Sequence, residues 1–339
     1  MIMYSKKEIM KIKKGIEPYK NFYLKNNSLP FFHLTTTLIL LIILIISLKY
    51  TKLTILLTSL FLIRTFMIFH DCGHKSFFKL SKEQFDSGEF GLNKHIGNLI
   101  GTFMNYSWQN WSEGHGQHHK NQGNKNKKDP NVIVLDKTVY QGLPKIKKII
   151  YRIIRSPPIF FCISPLYLFY LQHLFEIHKY TKARLLSFVR IAILYTILYK
   201  VGGKRLMKRY LLSQYIASIL GMMLFHLQHH VNTGYWEFFD ENDTYKKDLS
   251  SLHGSSFLQI PWWLKWVTNG IEYHDIHHFS PRIPCYNLSK CYNNNKHLLK
   301  KSTKINMKQA FKSLFHTLYD KKTKRYISFP LAKRLGLEA

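Results

Sequence analysis

The sequence predicts an all-α integral membrane protein, in which four transmembrane helices form two hairpins and a helical cap lies on the cytosolic side. Three observations favour this class. Long apolar runs alternate with Lys-rich stretches, so the mean hydropathy of −0.17 conceals both. A hydrophobic content of 46% excludes a disordered chain. Histidines cluster at helical spacing beside the apolar runs, and we expect few strands.

The first hairpin is predicted from two neighbouring apolar runs. Phe31 to Leu48 carries no charged residue and is long enough to cross the hydrocarbon layer of a bilayer. A basic stretch from Lys6 to Lys14 precedes it and no small-residue cleavage site follows, so it is not read as a cleavable signal. After a short polar turn, Leu53 to Phe69 forms the second run, with Arg64 as its one charge.

Three later apolar runs are shorter. Leu185 to Tyr199, which contains Arg190, and Tyr210 to Phe225 predict the second hairpin. Its connecting turn, Lys200 to Arg209, would place five basic residues on the far side, against the positive-inside tendency. Pro157 to Gln172 contains three prolines, so an interfacial or re-entrant segment is as compatible with it as a crossing.

The chain carries 50 Lys and Arg against 19 Asp and Glu, a formal charge of +31. Basic residues flank the membrane runs, as expected if both termini are cytosolic; biased residue usage is the alternative explanation. No nucleic-acid recognition motif appears.

We divide the chain into a basic N-terminal segment (1–30), a membrane domain (31–295) and a basic tail (296–339), with the tail lying on the surface and helical from Asn306 to Tyr319. Four cysteines without a CxxC pair are expected to be free thiols.

The chemistry of the chain is indicated by its 18 histidines, of which 11 fall in four clusters. The first has i, i+4 spacing and the other three have i, i+3, i+4 spacing, which on a helix is expected to aim the rings of a cluster at one point. The other seven are interpreted as solvated or interfacial. The clusters are His70 and His74; His115, His118 and His119; His226, His229 and His230; and His274, His277 and His278.

Such clusters indicate a metal site, because neutral imidazole is the commonest metal ligand. Clusters of ionisable rings beside lipid are also costly, so they usually serve a function. The count exceeds what one tetrahedral zinc uses and suits two ions of higher coordination number. Spacing alone does not choose among iron, copper, nickel and zinc. All ligands must also lie on one side of the membrane. Two hairpins satisfy this if Gly91 to Tyr106 lies along the surface.

Four stretches resemble the membrane-bound fatty acid desaturases, and especially their acyl-lipid branch. They are HDCGHKSFF (His70 to Phe78), WSEGHGQHHKNQGN (Trp111 to Asn124), FHLQHHVNTGYW (Phe225 to Trp236), and GSS with HDIHHFSPRIPCYNL (Gly254 to Ser256 and His274 to Leu288). The resemblance covers roughly residues 30 to 295.

The resemblance implies two iron ions held by histidines, which activate molecular oxygen and remove two hydrogens from neighbouring methylenes of an acyl chain. Candidates for further ligands or supporting groups are His226, His230 and Asp275, where the chain departs from the family pattern. Lesser candidates for carboxylates that orient a ligand are Asp71, Glu113, Asp129, Asp248 and Glu272. By analogy the ligands are His70, His74, His115, His118, His119, His229, His274, His277 and His278.

Electrons must come from a separate protein, since the chain has no dinucleotide-binding GxGxxG motif and no haem-binding CxxCH motif. The resemblance implies a ferredoxin or a b-type cytochrome as the donor, an acyl lipid or acyl thioester as the substrate, and a multi-pass location in endoplasmic reticulum or in a bacterial or organellar membrane. Alternatives are a hydroxylase, ketone-forming enzyme, sphingolipid desaturase or carotenoid-type oxygenase with the same site, and a non-oxidative zinc membrane protein.

Overall fold

The computed structural model describes residues 3–129, 132, 134–171, 182–231 and 235–329. Helices dominate this part of the chain. They are α1 (Lys6–Ile16), α2 (Ser28–Ser47), α3 (Thr54–Gly73), α4 (Lys82–Asp86), α5 (Leu92–Phe103), α6 (Trp108–Asn121), α7 (Lys137–Gly142), α8 (Lys145–Arg155), α9 (Pro157–Leu166), α10 (Lys182–His229), α11 (Thr244–Gly254), α12 (Lys265–Thr268), α13 (His274–Phe279), α14 (Cys285–Asn295) and α15 (Met307–Ser313).

Strands are few and short, as the sequence predicts. We call the described residues outside helices α2, α3 and α10 the cap. Two small sheets lie in it: β2 (Phe257–Gln259) pairs in parallel with β3 (Lys304–Asn306), while β4 (Leu318–Asp320) pairs in parallel with β1 (Leu135–Asp136) and antiparallel with β5 (Arg325–Ile327). Both parallel pairs join segments that are far apart in sequence, so they close the C-terminal region over the rest of the cap.

Three helices of the described part are long and apolar enough to span a membrane: α2, α3 and α10. Helices α2 and α3 follow the first two apolar runs and pack together, with Leu41 and Ile45 of α2 and Leu62 of α3 in one buried cluster. Arg64, near the middle of α3, is hydrogen-bonded from outside its helix, because its Nε donates to Thr37 Oγ1 at 3.1 Å. The prediction of an integral membrane protein is therefore supported by helices of the right length and polarity.

The 48-residue helix α10 folds back on itself near its middle. Gly203 has φ 61° and ψ −161°, a backbone conformation that side chains with a Cβ avoid. On either side of it, Tyr195 Oη donates to Gln214 Oε1 at 2.9 Å. In a straight helix these residues would be about 28 Å apart along the axis. The chain therefore reverses at Gly203, and the predicted apolar runs 185–199 and 210–225 are its two antiparallel arms.

The proline-containing run lies in a bent pair of helices. Helices α8 and α9 meet at 75°, and their combined length would suit either a broken span or a re-entrant segment; residue 172, the end of the predicted run, lies outside the described residues. Helix α8 was not singled out in the sequence. Its isoleucines, among them Ile146 and Ile153, are exposed on one face, and lysines and arginines share the helix. This pattern is typical of a helix in the plane of a membrane interface.

Helix α1 and the described C-terminal elements, from β3 to β5, pack against other parts of the chain. Helix α1, started by a capping box of Ser5 and Glu8, buries Ile12 and Ile16 in the same cluster as Ile276 of α13. The predicted tail helix from Asn306 to Tyr319 is wrong in its extent, because helix α15 ends at Ser313 and strand β4 follows. The expectation that the tail lies on the surface is also wrong, since residues such as Ala310 and Tyr319 are buried.

The four cysteines are free, as predicted. Two of them, Cys72 and Cys285, lie in the buried cluster that joins α3 to α14. They therefore act as small apolar side chains in the packing beneath the histidine clusters.

The backbone is tightly packed around Gly270, which lies before helix α13. Its φ is +95°, and a Cβ added there would lie 2.3 Å from the carbonyl oxygen of Cys285. We expect Gly270→Ala to destabilise the protein by about 2–4 kcal/mol, through backbone strain and displacement of α14. Thermal unfolding in detergent should show a midpoint lower by roughly 5 °C or more. Gly221→Ala, where a Cβ meets no atom within 4 Å, should leave the midpoint unchanged.

Candidate metal centre

Nine histidine side chains converge beneath the cap in two neighbouring groups. In the first group, His70, His74, His115, His119 and His277 each offer a ring nitrogen, and these nitrogens all lie within 4.8 Å of one another. The second group consists of His118, His229 and His278, which meet the same criterion, joined by His274, whose Nε2 is 2.9 Å from that of His229. All nine sequence-predicted ligands are thus brought together.

Four helices deliver these rings to one place. Helix α3 carries His70 in its last turn, and His74 directly follows its last residue. Helix α6 carries three of the rings, helix α10 ends with His229, and helix α13 carries the last three. The two groups touch, since the His119 and His278 rings stack at 3.9 Å between centroids.

The rings of one cluster do not all aim at a single point, which corrects the expectation from spacing. His115 and His119 enter the first group while His118 enters the second, and His277 separates in the same way from His274 and His278. Helix geometry gives the reason. At about 100° per residue, i and i+4 differ by about 40° around the axis, whereas i+3 and i+4 differ by about 100°. Each i, i+4 pair stays together, and the i+3 ring turns to the other group.

The distances between ring nitrogens fit metal coordination. In the first group, Nε2 of His115 lies 3.0 Å from that of His70 and 3.1 Å from that of His119. In the second, Nε2 of His118 lies 3.2 Å from that of His229. Neighbouring imidazole ligands at about 2.1 Å from an ion, the usual metal–nitrogen distance, would be about 3.0 Å apart in octahedral geometry. Each group therefore has the dimensions of a shell of nitrogen ligands.

Hydrogen bonds cannot account for the same contacts. Nε2 atoms of His70, His115, His119 and His277 form a chain of three contacts in that order. A neutral imidazole nitrogen carries either one hydrogen or one lone pair, so at most two of three successive contacts can be hydrogen bonds. In the described part of the protein, the buried Nε2 of His74, beside this series of contacts, has no hydrogen-bond partner. Lone pairs converging in a buried space are what a metal ion requires.

Burial keeps these rings in the form that binds metals. It lowers the pKa of the His74, His115, His119, His274, His277 and His278 rings well below its ordinary value. Removing a charged ring from water is costly, and the neighbouring histidines add repulsion if they are protonated. Neutral imidazole, the metal-binding form, is therefore favoured.

Two carboxylates orient the rings from behind. His118 Nδ1 lies 2.9 Å from Asp129 Oδ2, and His70 Nδ1 lies 3.1 Å from Asp71 Oδ1. Each contact fixes the ring hydrogen on Nδ1 and leaves the Nε2 lone pair free to face its group. Asp71 Oδ2 also accepts the backbone N–H of Cys285 at 2.6 Å, which ties α3 to the start of α14.

The other candidate carboxylates differ from these two. Asp275 is fully buried, and burial raises the pKa of its carboxyl to about 6, but within the described residues no ring nitrogen donates to it. Asp248 pairs with Lys13 at 2.6 Å, and Glu272 accepts from Thr268 Oγ1 at 2.6 Å. Glu113 is held by Gln109 at the exposed face of α6. None of them reaches a histidine of the two groups in the described structure.

His226 and His230 lie outside both groups. Their rings stack on each other at 3.9 Å, and His226 Nε2 donates to the carbonyl oxygen of Ser313 at 2.9 Å. His316, interpreted from the sequence as solvated or interfacial, is buried and contacts the carbonyl of His230. These rings therefore attach the C-terminal region to the end of α10. Nothing in the sequence spacing distinguishes them from the rings of the two groups.

The chain was compared with known proteins. A family model described as fatty acid desaturase matches residues 50–309. A "Fatty acid desaturase" of Bacillus subtilis is 31% identical over 284 residues, which cover 81% of this chain and 76% of that protein. An "sn-1 oleoyl-lipid 12-desaturase" of Picosynechococcus is 27% identical, over 70% of this chain and 66% of that protein. An "Omega-6 fatty acid desaturase, chloroplastic" of Glycine max is 26% identical over 66% of this chain and 51% of that protein.

The supporting role of Asp129 is open to a direct test. We expect Asp129→Asn to weaken metal retention by the second group by about 10- to 100-fold, because the His118 ring loses a charged acceptor for its Nδ1 hydrogen. Equilibrium dialysis of the purified protein against a graded chelator measures this. Asp86→Asn, an exposed acid outside both histidine groups, is the control. Equal retention by both variants would show that Asp129 does not support the ring.

Proposed function

The chain belongs to the fatty acid desaturase family, whose members are oxidoreductases that act on acyl lipids, and we propose that its nine clustered histidines hold the two iron ions of its active site. The observation that carries the proposal is the division of these buried rings into two touching groups whose nitrogen spacing suits metal ligands. The first group offers five rings and the second offers four.

Bound iron supplies the activation of molecular oxygen needed to remove two hydrogens from neighbouring methylene carbons, which have no acidic proton or polar handle. The protein's own residues set the protonation, the orientation and the solvent exposure of the histidine rings. Burial favours the neutral form of those rings whose pKa it lowers. Asp71 and Asp129 fix the tautomers of His70 and His118. The apolar packing of Trp111 against the His115 ring, at 4.4 Å between centroids, helps to keep water away from the first group.

We propose four membrane crossings, with the histidines and both termini on the cytosolic side. Two features support this topology. Helix α3 carries His70 and His74 at its C-terminal end, so the first hairpin returns the chain to the side of the cap. The reversal of α10 at Gly203 returns the chain to the same side at His229. The basic turn at 200–209 then lies on the opposite side.

We propose that electrons come from an acidic ferredoxin or b-type cytochrome that docks on a basic surface of the cap. This donor surface consists of Lys125 and Lys127 with the turn of the β4–β5 hairpin, which contributes Lys321, Lys322, Lys324 and Arg325. Some of its cations are paired, for example Lys324 with Glu237 at 2.7 Å. Lys125 forms no ion pair within the described residues, so the surface keeps an excess of positive charge that can steer an acidic partner.

Packed aromatic rings support the choice of this surface. Lys125 Nζ lies 5.0 Å from the centre of the Tyr319 ring. The rings of Tyr319 and Tyr326 are 5.4 Å apart, and those of Tyr326 and His230 are 5.5 Å apart. His230 follows His229 in the chain, so the donor surface is joined to the second histidine group by a short series of ring contacts. A donor docked there would be close to the proposed iron site.

The activity is tested by expressing the protein in a host whose fatty acids are known. We expect a new double bond in host acyl chains, and its complete loss in His118→Ala, which removes a ring of the second group. His297→Ala, an exposed ring outside both groups, should keep the activity. Mass spectrometry of the acyl products separates the alternatives: loss of two hydrogens is desaturation, whereas gain of an oxygen atom identifies a hydroxylase. Zinc without iron in the purified protein would contradict the proposal.

The donor surface is tested by charge removal. We expect Lys125→Gln/Lys322→Gln to lower turnover driven by an acidic ferredoxin by roughly fivefold or more at low salt, and the difference to shrink as salt screens the attraction. Lys7→Gln/Lys11→Gln, on an exposed face of α1, is the control of equal charge. Turnover driven by dithionite should be unchanged in both variants. Ferredoxin-driven turnover that does not respond to salt would contradict an electrostatic docking surface.

A further inference from the structure

A large cavity lies beside the helix that carries the second histidine cluster. Its volume is about 820 Å³, and its walls come from α5, from the first half of α6 and from the beginning of α10. Ser112 in its wall lies one turn before His115 on α6. Neither histidine group uses the residues that line it, so its role is separate from metal binding.

Three cations face this cavity, and the described residues offer them no counter-ion. Lys94, Lys182 and Arg190 line it, and within the described residues no carboxylate forms an ion pair with any of them. Glu113, the one acid in the wall, accepts instead from Gln109 Nε2 at 3.2 Å. An excess of positive charge therefore surrounds the space.

Arg190 is the most informative of the three. It lies within an apolar helix, where a charged side chain is costly and usually has a functional reason. One of its nitrogens, Nη2, donates to Asn98 Oδ1 at 2.8 Å and to Ser187 Oγ at 2.9 Å, whereas its buried Nε has no hydrogen-bond partner among the residues that the structure describes. Neutral groups hold the guanidinium in place, and no anion of the described part neutralises it.

Most of the wall surface is nevertheless apolar. Phe90, Leu99 and Leu186 line the cavity beside the cations. Outward from it, Leu185 and Val189 expose large parts of their side chains on a helix that is long and apolar enough to span a membrane. A ligand that suits this wall combines an anionic group with hydrocarbon and arrives from the lipid phase.

We propose that this cavity binds a glycerophospholipid by its phosphate, and so presents that lipid's acyl chain to the neighbouring histidine groups. The inference rests on the proposed function and names the substrate class. Lys182 begins α10, and Arg190 follows about 12 Å farther along the helix. The phosphate lies against Lys182 and Lys94 at the membrane edge, and the deeper Arg190 and Asn98 face the ester carbonyl region of the lipid.

The first test measures lipid retention directly. The purified protein in detergent receives an equimolar mixture of phosphatidylglycerol, diacylglycerol and acyl-coenzyme A with the same acyl chain, and native mass spectrometry counts the lipids that stay bound. We expect one retained phosphatidylglycerol per chain. In Lys94→Gln/Lys182→Gln, retention should fall by about tenfold or more, because each basic residue at a membrane surface contributes about a fivefold preference for anionic lipid. Lys52→Gln/Lys204→Gln removes equal charge elsewhere and should retain the lipid.

Other outcomes of this test overturn the proposal. Equal retention of diacylglycerol would show that the phosphate is not recognised. Preferred retention of acyl-coenzyme A would identify a thioester site. Displacement of the lipid by excess inorganic phosphate would indicate a site for the free anion. Retention that is unchanged in Lys94→Gln/Lys182→Gln and in Arg190→Gln would place the bound lipid outside this cavity.

The second test separates this inference from the proposed function. In a desaturation assay with phospholipid substrate, Lys94→Gln/Lys182→Gln should raise KM by about tenfold while kcat and iron content stay at the wild-type values, since the lost contacts hold substrate away from the reacting carbons. Unchanged KM with active enzyme would overturn the lipid site alone. Absence of iron and of product in the wild-type protein would overturn the proposed function, while lipid retention could still be measured.

Discussion

The fold depends on gathering nine imidazole rings in a buried space. Neutral rings carry a hydrogen and a lone pair each, and burying such groups without partners is unfavourable. Side chains orient only some of them, as Asp129 does for His118, and several Nδ1 atoms in the groups have no partner in the described structure. Two bound cations would satisfy the converging Nε2 lone pairs and so remove part of this cost. Apolar packing alone would not bring α3, α6, α10 and α13 to one place with their histidines inward.

Asp71 links this centre to the packing beneath it. Its carboxylate is fully buried, faces His70 Nδ1 with one oxygen, and accepts the N–H of Cys285 with the other. It thereby joins the end of a membrane helix to the first turn of α14, which follows the last histidine cluster in the chain. The orientation of a proposed ligand and the docking of the cap on the membrane helices thus depend on one side chain. Because the Asp71 carboxylate contacts both partners, a substitution that disturbs one of these contacts is expected to disturb the other.

Much of this structure follows from local sequence patterns, and the remainder does not. The apolar runs of α2 and α3 and the histidine clusters depend on residues close in sequence, so spacing and hydropathy predict them. The reversal of α10 at Gly203 also follows from them, because the basic stretch from Lys200 to Arg209 separates the two apolar runs that predict the second hairpin. Asp129 supports a ring eleven residues earlier from a loop, and β4 reaches its partner β1 across most of the chain. Contacts of that kind are set by tertiary packing, which is why the buried tail was predicted to lie on the surface.

The histidine clusters show where local spacing stops being informative. In each cluster with i, i+3, i+4 spacing, the i, i+4 pair shares a face and the i+3 ring turns away from it. The pair His115 and His119 enters the first group, and the pair His274 and His278 enters the second. The pair His226 and His230 enters neither, because the C-terminal region covers its face and Ser313 accepts from His226. Only His229 of that cluster reaches the centre. Spacing determines which rings stay together, whereas the element packed against each face determines whether they can meet a metal.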